Sequence, residues 1–327
     1  MTETARAFWT VAPGSGEIRE ERLPKPGDGE VMVRTLHSAV SRGTESLVFE
    51  GRVPVSEYDR MRAPFQQGDF PAPVKYGYSA VGVVEQGPVG LTGKTVFCLH
   101  PHQDRFVVPV TAVAELPDGV PPQRAVLAAN AETALNGVWD AGIGPGDRVA
   151  VLGAGVVGAL VAWLSGRIPG TEVTLVDVQP ARARLAEALG VAFAETGRAT
   201  GDCDVVVHAS GSEAGLVAAL GLAGNQARVV EMSWYGELRP AVPLGEAFHS
   251  RRLSLVSSQV GQLPPQRLPR WDFRRRLKTA LALLADPALD ALVSGSTSFE
   301  TIAEDLPGVL AGVGEVLCHR IDYAARR

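Results

Sequence analysis

The segment Asp147–Gly158 reads DRVAVLGAGVVG, and an aspartate, Asp177, ends the run EVTLVD nineteen positions after Gly158. No other feature restricts the chain so strongly, because each part of the pattern has its own structural duty. Val149–Leu152 is short, apolar, rich in β-branched residues and bounded by glycine, as a strand buried in a parallel sheet requires. Gly153 permits a tight turn, Gly155 lets backbone approach a pyrophosphate, and Gly158 lets the next helix pack close to the strand. The helix that opens through Ala154, Val156 and Val157 would offer N–H groups and a positive dipole end to phosphate. Asp177 stands where a carboxylate accepts hydrogen bonds from ribose hydroxyls, and its charge repels a 2′-phosphate. Strand, glycine turn, helix, strand and acid in that order predict a dinucleotide site for NAD(H), with NADP(H) the weaker alternative.

The rest of the chain supports an α/β protein. Downstream of the motif, EVTLVD, the helical pattern ARARLAEALG, the strand CDVVVHASG, a helix from Glu213, and the strands ARVVEMSW and LSLVSSQVG alternate as βα units. That alternation predicts a doubly wound parallel sheet, and Ser210 and Gly211 fall at its carboxyl edge, where open α/β sheets bind ligands. Upstream, GEVMVRTLHSAVS, SAVGVVEQG, KTVFCL and DRFVVPV read as short strands separated by Gly and Pro. The expected division is a β-rich domain over 1–122 and 263–327 and a Rossmann domain over 123–262. An amphipathic helix near RRRLKTALALLA and the segment FETIAEDLPGVLAGVGEVL close the chain.

Bulk properties narrow the function. With 327 residues, 20% charged and a net charge of -5, the chain has no electrostatic footprint for nucleic acid or an anionic membrane. Its basic cluster, Arg274, Arg275, Arg276 and Lys278, is expected on a solvated or interface face of a helix. Three cysteines, Cys98, Cys203 and Cys318, are too scattered for a disulfide framework or a metal cluster. The N-terminal MTETARAFWT lacks the charged and apolar regions of a secretion signal, and no apolar run has the length of a membrane span, so a cytoplasmic protein is expected.

This layout resembles the medium-chain dehydrogenase/reductase superfamily, in which a GroES-like β-rich catalytic domain accompanies a Rossmann domain. The resemblance covers nearly the whole chain and rests on the glycine motif with Asp177, on SAVGVVEQGPVGLTGKTV, and on Gly43-Thr44-Glu45. It implies an NAD(P)-dependent alcohol dehydrogenase-like oxidoreductase acting on a small molecule, commonly as a homodimer joined through Rossmann sheet edges. It also implies cofactor contacts at Thr133 and at Arg182, which would cover the adenosine ribose. Zinc-dependent members carry Cys before Gly-Thr, a Gly-His-Glu run and a third ligand further on. Here Arg42, Gly77-Tyr78-Ser79 and Ala128–Thr133 stand at those places, so no catalytic zinc is expected, with Glu132 the single candidate ligand. VSRGTES, KYGYSAVG and SSQVGQLPPQRLPRW look like the zinc-free branch containing bacteriochlorophyllide a dehydrogenase; they do not name a substrate.

Without metal, hydride transfer needs another group to stabilise charge on the substrate oxygen. Thr44 matches the relay hydroxyl, Tyr78 replaces the His ligand with a phenol, and Glu45 completes the candidate catalytic set. Arg42 or Lys75 is the candidate cation to lower the pKa of Tyr78, with an Arg42–Glu45 ion pair as the alternative. Plainer roles are packing for Tyr78, a turn for Thr44 and a structural partnership for Glu45. His100 and His102, in LHPHQDRF, are expected at the surface, and His208 as packing near the cofactor. The leading expectation is interconversion of a secondary alcohol and a ketone; the alternatives are enoyl or quinone reduction and non-catalytic dinucleotide binding.

Overall fold

A computed structural model describes residues 3–312 and 316–324, so residues 313–315 of the closing amphipathic segment lie outside the description. The chain forms two units: Met1–Ala129 with Leu281–Pro287 and Val293–Arg327, and Asn130–Ala280 with Ala288–Leu292. The return to the first unit therefore comes at Leu281, later than the expected residue 263.

The first unit is built from β1 (Thr4–Ala12), β2 (Ser15–Arg22), β3 (Glu30–Val40), the helix α1 (Arg42–Phe49), β4 (Gln67–Gly68), β5 (Val74–Lys75), β6 (Ala80–Gln86), β7 (Thr95–Cys98), β8 (Arg105–Pro109), β9 (Val113–Glu115) and the short α2 (Pro122–Ala125). β3 is central, pairing antiparallel with β6 and with β8. Val31, Val33, Ala80, Val84, Val96, Phe106 and Val108 point inward from β3, β6, β7 and β8 and form one core cluster. The reading of short strands between Gly and Pro predicts all four of those strands. It does not predict β2, whose SGEIREER carries a single apolar residue and is held in place by pairing with β1. Thr44 and Glu45 lie in the first turn of α1, so the plainer expectation of a turn at Thr44 is corrected.

The second unit contains α3 (Ala128–Ala141), which begins at the boundary, then β10 (Arg148–Leu152), α4 (Val156–Ser165), β11 (Glu172–Asp177), α5 (Ala183–Leu189), β12 (Ala192–Glu195), β13 (Cys203–His208), α6 (Glu213–Leu222), β14 (Ala223–Glu231), β15 (Ser254–Ser257) and α7 (Phe273–Leu283), whose last turn crosses the boundary at Leu281. The strands form one sheet in the order β12-β11-β10-β13-β14-β15, every pair parallel. This is the doubly wound order, and its direction reverses between β10 and β13. Val151, Leu152, Val206, Val207, Val229 and Val230 are buried, as expected for strands covered on both faces. Each such side chain contributes about 1.5–3 kcal/mol by leaving water. β15 is shorter than the apolar run suggested and forms the sheet's edge.

The basic cluster needs a correction. Arg274, Arg275 and Lys278 are exposed, but Arg276 is buried. Its guanidinium donates to Glu132 Oε1 at 3.0 Å, Asn136 Oδ1 at 2.5 Å and the Val260 carbonyl at 2.5 Å. The planar guanidinium fork ties α7 to α3 and to the loop after β15.

The chain returns to the first unit with β16 (Val293–Ser298), α8 (Ile302–Ala311) and β17 (Cys318–Asp322). β17 pairs antiparallel with β3 and carries β16 on its other side. This return places Tyr323 beside Ser38, a contact used below. No helix among the described residues is long and apolar enough to cross a membrane.

Candidate functional site

The switch point of the parallel sheet is shaped by three glycines, each for a different reason. Gly153 has φ +104°, and a side chain there would meet the backbone nitrogen of Ser210 at 2.7 Å. A side chain at Gly158 would overlap the Gly153 carbonyl, so α4 can lie this close to β10 only with glycine. Nothing lies within 4 Å of the position a Gly155 side chain would take. The first and third glycines are thus required by the protein's own packing, whereas the second leaves open space where backbone meets a ligand. Gly155 is the N-cap of α4, and Val156 and Val157 form the helix's first turn. Asp177, at the end of β11, accepts the Ala154 N–H at 2.7 Å and the Gln179 N–H at 2.9 Å. The carboxylate is therefore held against the glycine turn, as a ribose acceptor requires. These residues fit a nicotinamide dinucleotide.

Other candidate cofactor residues sit in varied surroundings. Ser210 is exposed just beyond β13, and Gly211 has φ +67° and donates its N–H to Ser233 Oγ at 3.0 Å. Thr133 is half-buried in α3, and Arg182 is buried at the end of the turn Pro180–Arg182. His208 does more than pack. It is fully buried and uses both ring nitrogens, Nδ1 with Glu231 Oε2 at 2.7 Å and Nε2 with Ser210 Oγ at 2.6 Å.

In the first unit a cluster of hydroxyl groups surrounds Tyr78. Its phenol hydrogen-bonds the side chains of Ser41, the N-cap of α1, and Thr44, on its first turn. The Tyr78 pKa is pushed up to about 12, chiefly by burial and then by the nearby Glu45 charge, against the opposing Ser41 and Thr44 bonds. The expectation of a cation lowering this pKa is therefore corrected: the phenol keeps its proton. Lys75 is buried with its ammonium on Glu21 at 2.7 Å and Gln103 at 2.9 Å. Arg42 donates to the Val316 carbonyl at 3.2 Å.

Glu45 is buried and accepts the Ser41 N–H at 2.7 Å through one oxygen. The other oxygen meets His102 Nε2 at 2.9 Å, His102 Nδ1 meets Ser38 Oγ at 2.8 Å, and Ser38 meets the Tyr323 hydroxyl at 2.9 Å. The surface expectation for both histidines is overturned, since His102 and His100 are each at most 5% exposed. Gly77, immediately before Tyr78, has φ +125°, and a side chain there would meet the His102 ring at 3.1 Å. The Glu45–His102 pair thus lies directly beneath the turn that carries Tyr78. His100 stacks on Phe106 at 3.9 Å, and burial above all pushes its pKa down to about 3. Ser38, Ser41 and Tyr323 escape a reading of sequence because their contacts with Tyr78 and His102 come from tertiary packing.

A catalytic zinc takes three protein ligands and an open position, and the places that the resemblance gives to those ligands hold Arg42, Tyr78 and Glu132. Tyr78 is held protonated, Arg42 offers a cation, and Glu132 is paired with Arg276. Among the described residues no group of three or more His, Cys, Asp or Glu side chains is arranged to hold a metal ion.

No family model matches the sequence. The chain is 28% identical over 184 residues to L-galactonate-5-dehydrogenase of Escherichia coli (strain K12), a match covering 50% of this chain and 53% of that protein. It thus spans about half the length of that relative. It is 24% identical over 290 residues to D-guloside 3-dehydrogenase of the same strain, covering 80% of this chain and 83% of the relative. Among solved structures, L-idonate 5-dehydrogenase from Escherichia coli superposes with a TM-score of 0.78 at 15% identity, over 98% of this chain and 99% of that one. A chain from Sinorhizobium meliloti 1021 bound to NADP gives 0.77 at 19% identity, with 98% and 99% covered. An alcohol dehydrogenase from Escherichia coli CFT073 complexed with NADH gives 0.75 at 16%, again over 98% and 99%. These likenesses establish the fold, a β-rich unit and a doubly wound parallel unit.

Proposed function

We propose that the chain is an NAD(H)-linked oxidoreductase that interconverts a secondary alcohol and a ketone on a small polyhydroxylated molecule, without catalytic zinc. The observation that carries this reading is the switch point, where Gly153 and Gly158 are filled by packing, Gly155 is open, and Asp177 is fixed against the turn. The relatives act, by name, on a galactonate and a guloside, which supports a sugar-type alcohol as substrate class. A nicotinamide dinucleotide, when bound, supplies or accepts the hydride. The remaining work falls to this chain's side chains. Tyr78 donates a hydrogen bond to the substrate oxygen, stabilising the charge that grows there in the transition state. Thr44 and Ser41 orient that phenol, and burial, together with Glu45 fixed by His102, keeps it protonated. Asp177 selects NAD(H) by repelling a 2′-phosphate. The edge strand β15 supports a homodimer in which the open edge is covered.

The test is oxidation of NADH with panels of sugar-derived ketones, simple ketones and enones, run alongside NADPH. Turnover with ketones and NADH supports the proposal. Turnover confined to enones would instead make the chain a C=C reductase, and tight NADH binding without turnover would make it a binding protein.

A further inference from the structure

The hydrogen bonds of His208 lead in a direction that hydride transfer does not use. β13 ends in His208, and Ser210 follows in the tight turn that opens α6, a strand–serine–helix arrangement at the carboxyl edge of a parallel sheet. Hydrolases on parallel sheets likewise place a nucleophilic serine between a strand and a helix. The base here comes from the same strand, and the acid, Glu231, from the end of the neighbouring strand β14. We propose that Ser210, His208 and Glu231 form a nucleophile–base–acid triad that accepts an acyl or phosphonyl group from an activated ester.

The proton directions agree with those roles. The Glu231 carboxylate accepts from the Ser233 N–H at 2.7 Å, from the Tyr235 hydroxyl at 3.1 Å and from His208 Nδ1 at 2.7 Å. Burial raises the Glu231 pKa, but the bonds from His208 and Ser233 outweigh it and hold the group below the ordinary carboxylate range. With its Nδ1 proton on Glu231, His208 turns an acceptor Nε2 toward Ser210 Oγ at 2.6 Å. Ser212 Oγ, 2.8 Å from Ser210 Oγ and itself accepting the Gly215 N–H at 3.1 Å, then points its proton at Ser210. Gly215 makes room for the group: any side chain there would overlap Ser210 Oγ and lie 2.6 Å from His208 Nε2.

In the step, the Ser210 O–H proton moves to His208 Nε2 as Oγ bonds the carbonyl carbon. The carbon–oxygen bond to the leaving group then breaks, and that oxygen takes the proton back from His208; with a fluorophosphonate, Oγ bonds phosphorus, the P–F bond breaks and the proton leaves with fluoride. Water releases the acid by the same route. The Gly211 N–H is already spent on Ser233, so a ready oxyanion donor is missing from the residue after the nucleophile. The class is therefore restricted to esters with good leaving groups. Because the Ser210 backbone touches the glycine turn at Gly153, an acylated Ser210 and a bound dinucleotide would exclude each other.

The experiment treats the purified full-length protein with p-nitrophenyl acetate and with an alkyl fluorophosphonate, followed by peptide mass mapping. The expected result is a single adduct on Ser210, absent from Ser210→Ala, with p-nitrophenol release falling about 10²-fold in His208→Gln. Gly215→Ala, which crowds the hydroxyl, should slow labelling while Ser212→Ala retains it. Saturating NADH should protect Ser210; an adduct on Ser210 without protection would keep the triad and remove only the placement of the dinucleotide. Equal labelling of Ser210→Ala, or adducts only elsewhere, would overturn the proposal. Ser210 is exposed, so its alanine variant tests the claim even if buried His208 cannot be replaced.

Discussion

The two candidate sites are made by opposite means. The glycine turn of the second unit is specified by absent side chains: Gly153 and Gly158 fit because nothing larger could, and a span of about thirty residues contains the whole device. The Tyr78 cluster of the first unit is made by side chains that meet across the fold. Ser38 comes from β3, Ser41 and Thr44 from the start of α1, His102 from a loop, and Tyr323 from beyond β17. The candidate cofactor turn is thus a property of local backbone, whereas the proposed proton donor is a property of tertiary structure.

That contrast can be broken by mutation. The largest effect is expected at Tyr78. Tyr78→Phe keeps the ring and removes the donor, so turnover should fall by about 10²-fold while NADH affinity and stability stay near wild type. Unchanged turnover would return Tyr78 to a packing role. Next comes Asp177→Ala, which should weaken NADH by about tenfold, or 1.4 kcal/mol, and erase discrimination against NADPH. A wild-type preference for NADPH, measured by equilibrium titration, would refute the placement of that carboxylate. Thr44→Ala should cost less turnover than Tyr78→Phe, because Ser41 still orients the phenol; an equal loss would make Thr44 the principal donor.

Legibility followed the same contrast. The sheet, its glycines and Asp177 were readable because periodicity and the glycine pattern act over short spans of sequence. The roles of His102 and His208 were not readable. LHPHQDRF has the polar composition of a surface loop, yet both of its histidines are buried, one paired with Glu45 and the other stacked on Phe106. Arg276 was hidden in a basic run whose other members face solvent, and only the fold shows that Glu132 takes it inward. Tyr78 was identified as a phenol in place of a ligand, but the sign of its pKa shift is set chiefly by burial and then by Glu45, neither of which the sequence could place around the ring.

A smaller effect is expected from acid. His100 has an ordinary pKa of 6.5 and is held at about 3 in the fold. As pH falls below 6.5, the unfolded chain takes up a proton that the folded chain refuses until about 3, so stability drops across that window. His100→Phe retains the stack on Phe106 and removes this term. Its melting temperature should therefore fall less than that of wild type between neutral pH and pH 4, by about a few degrees. An identical pH dependence in variant and wild type would show that His100 is not buried neutral.

The central claim is that side-chain hydroxyls, and not a metal, stabilise the substrate oxygen. It is tested most directly by measuring NADH-linked turnover of the identified ketone before and after exhaustive chelation, with metal content determined on the same sample. The account predicts far less than one zinc per chain and the same rate in both conditions. Stoichiometric zinc, with activity that is lost on chelation and restored by zinc, would contradict it.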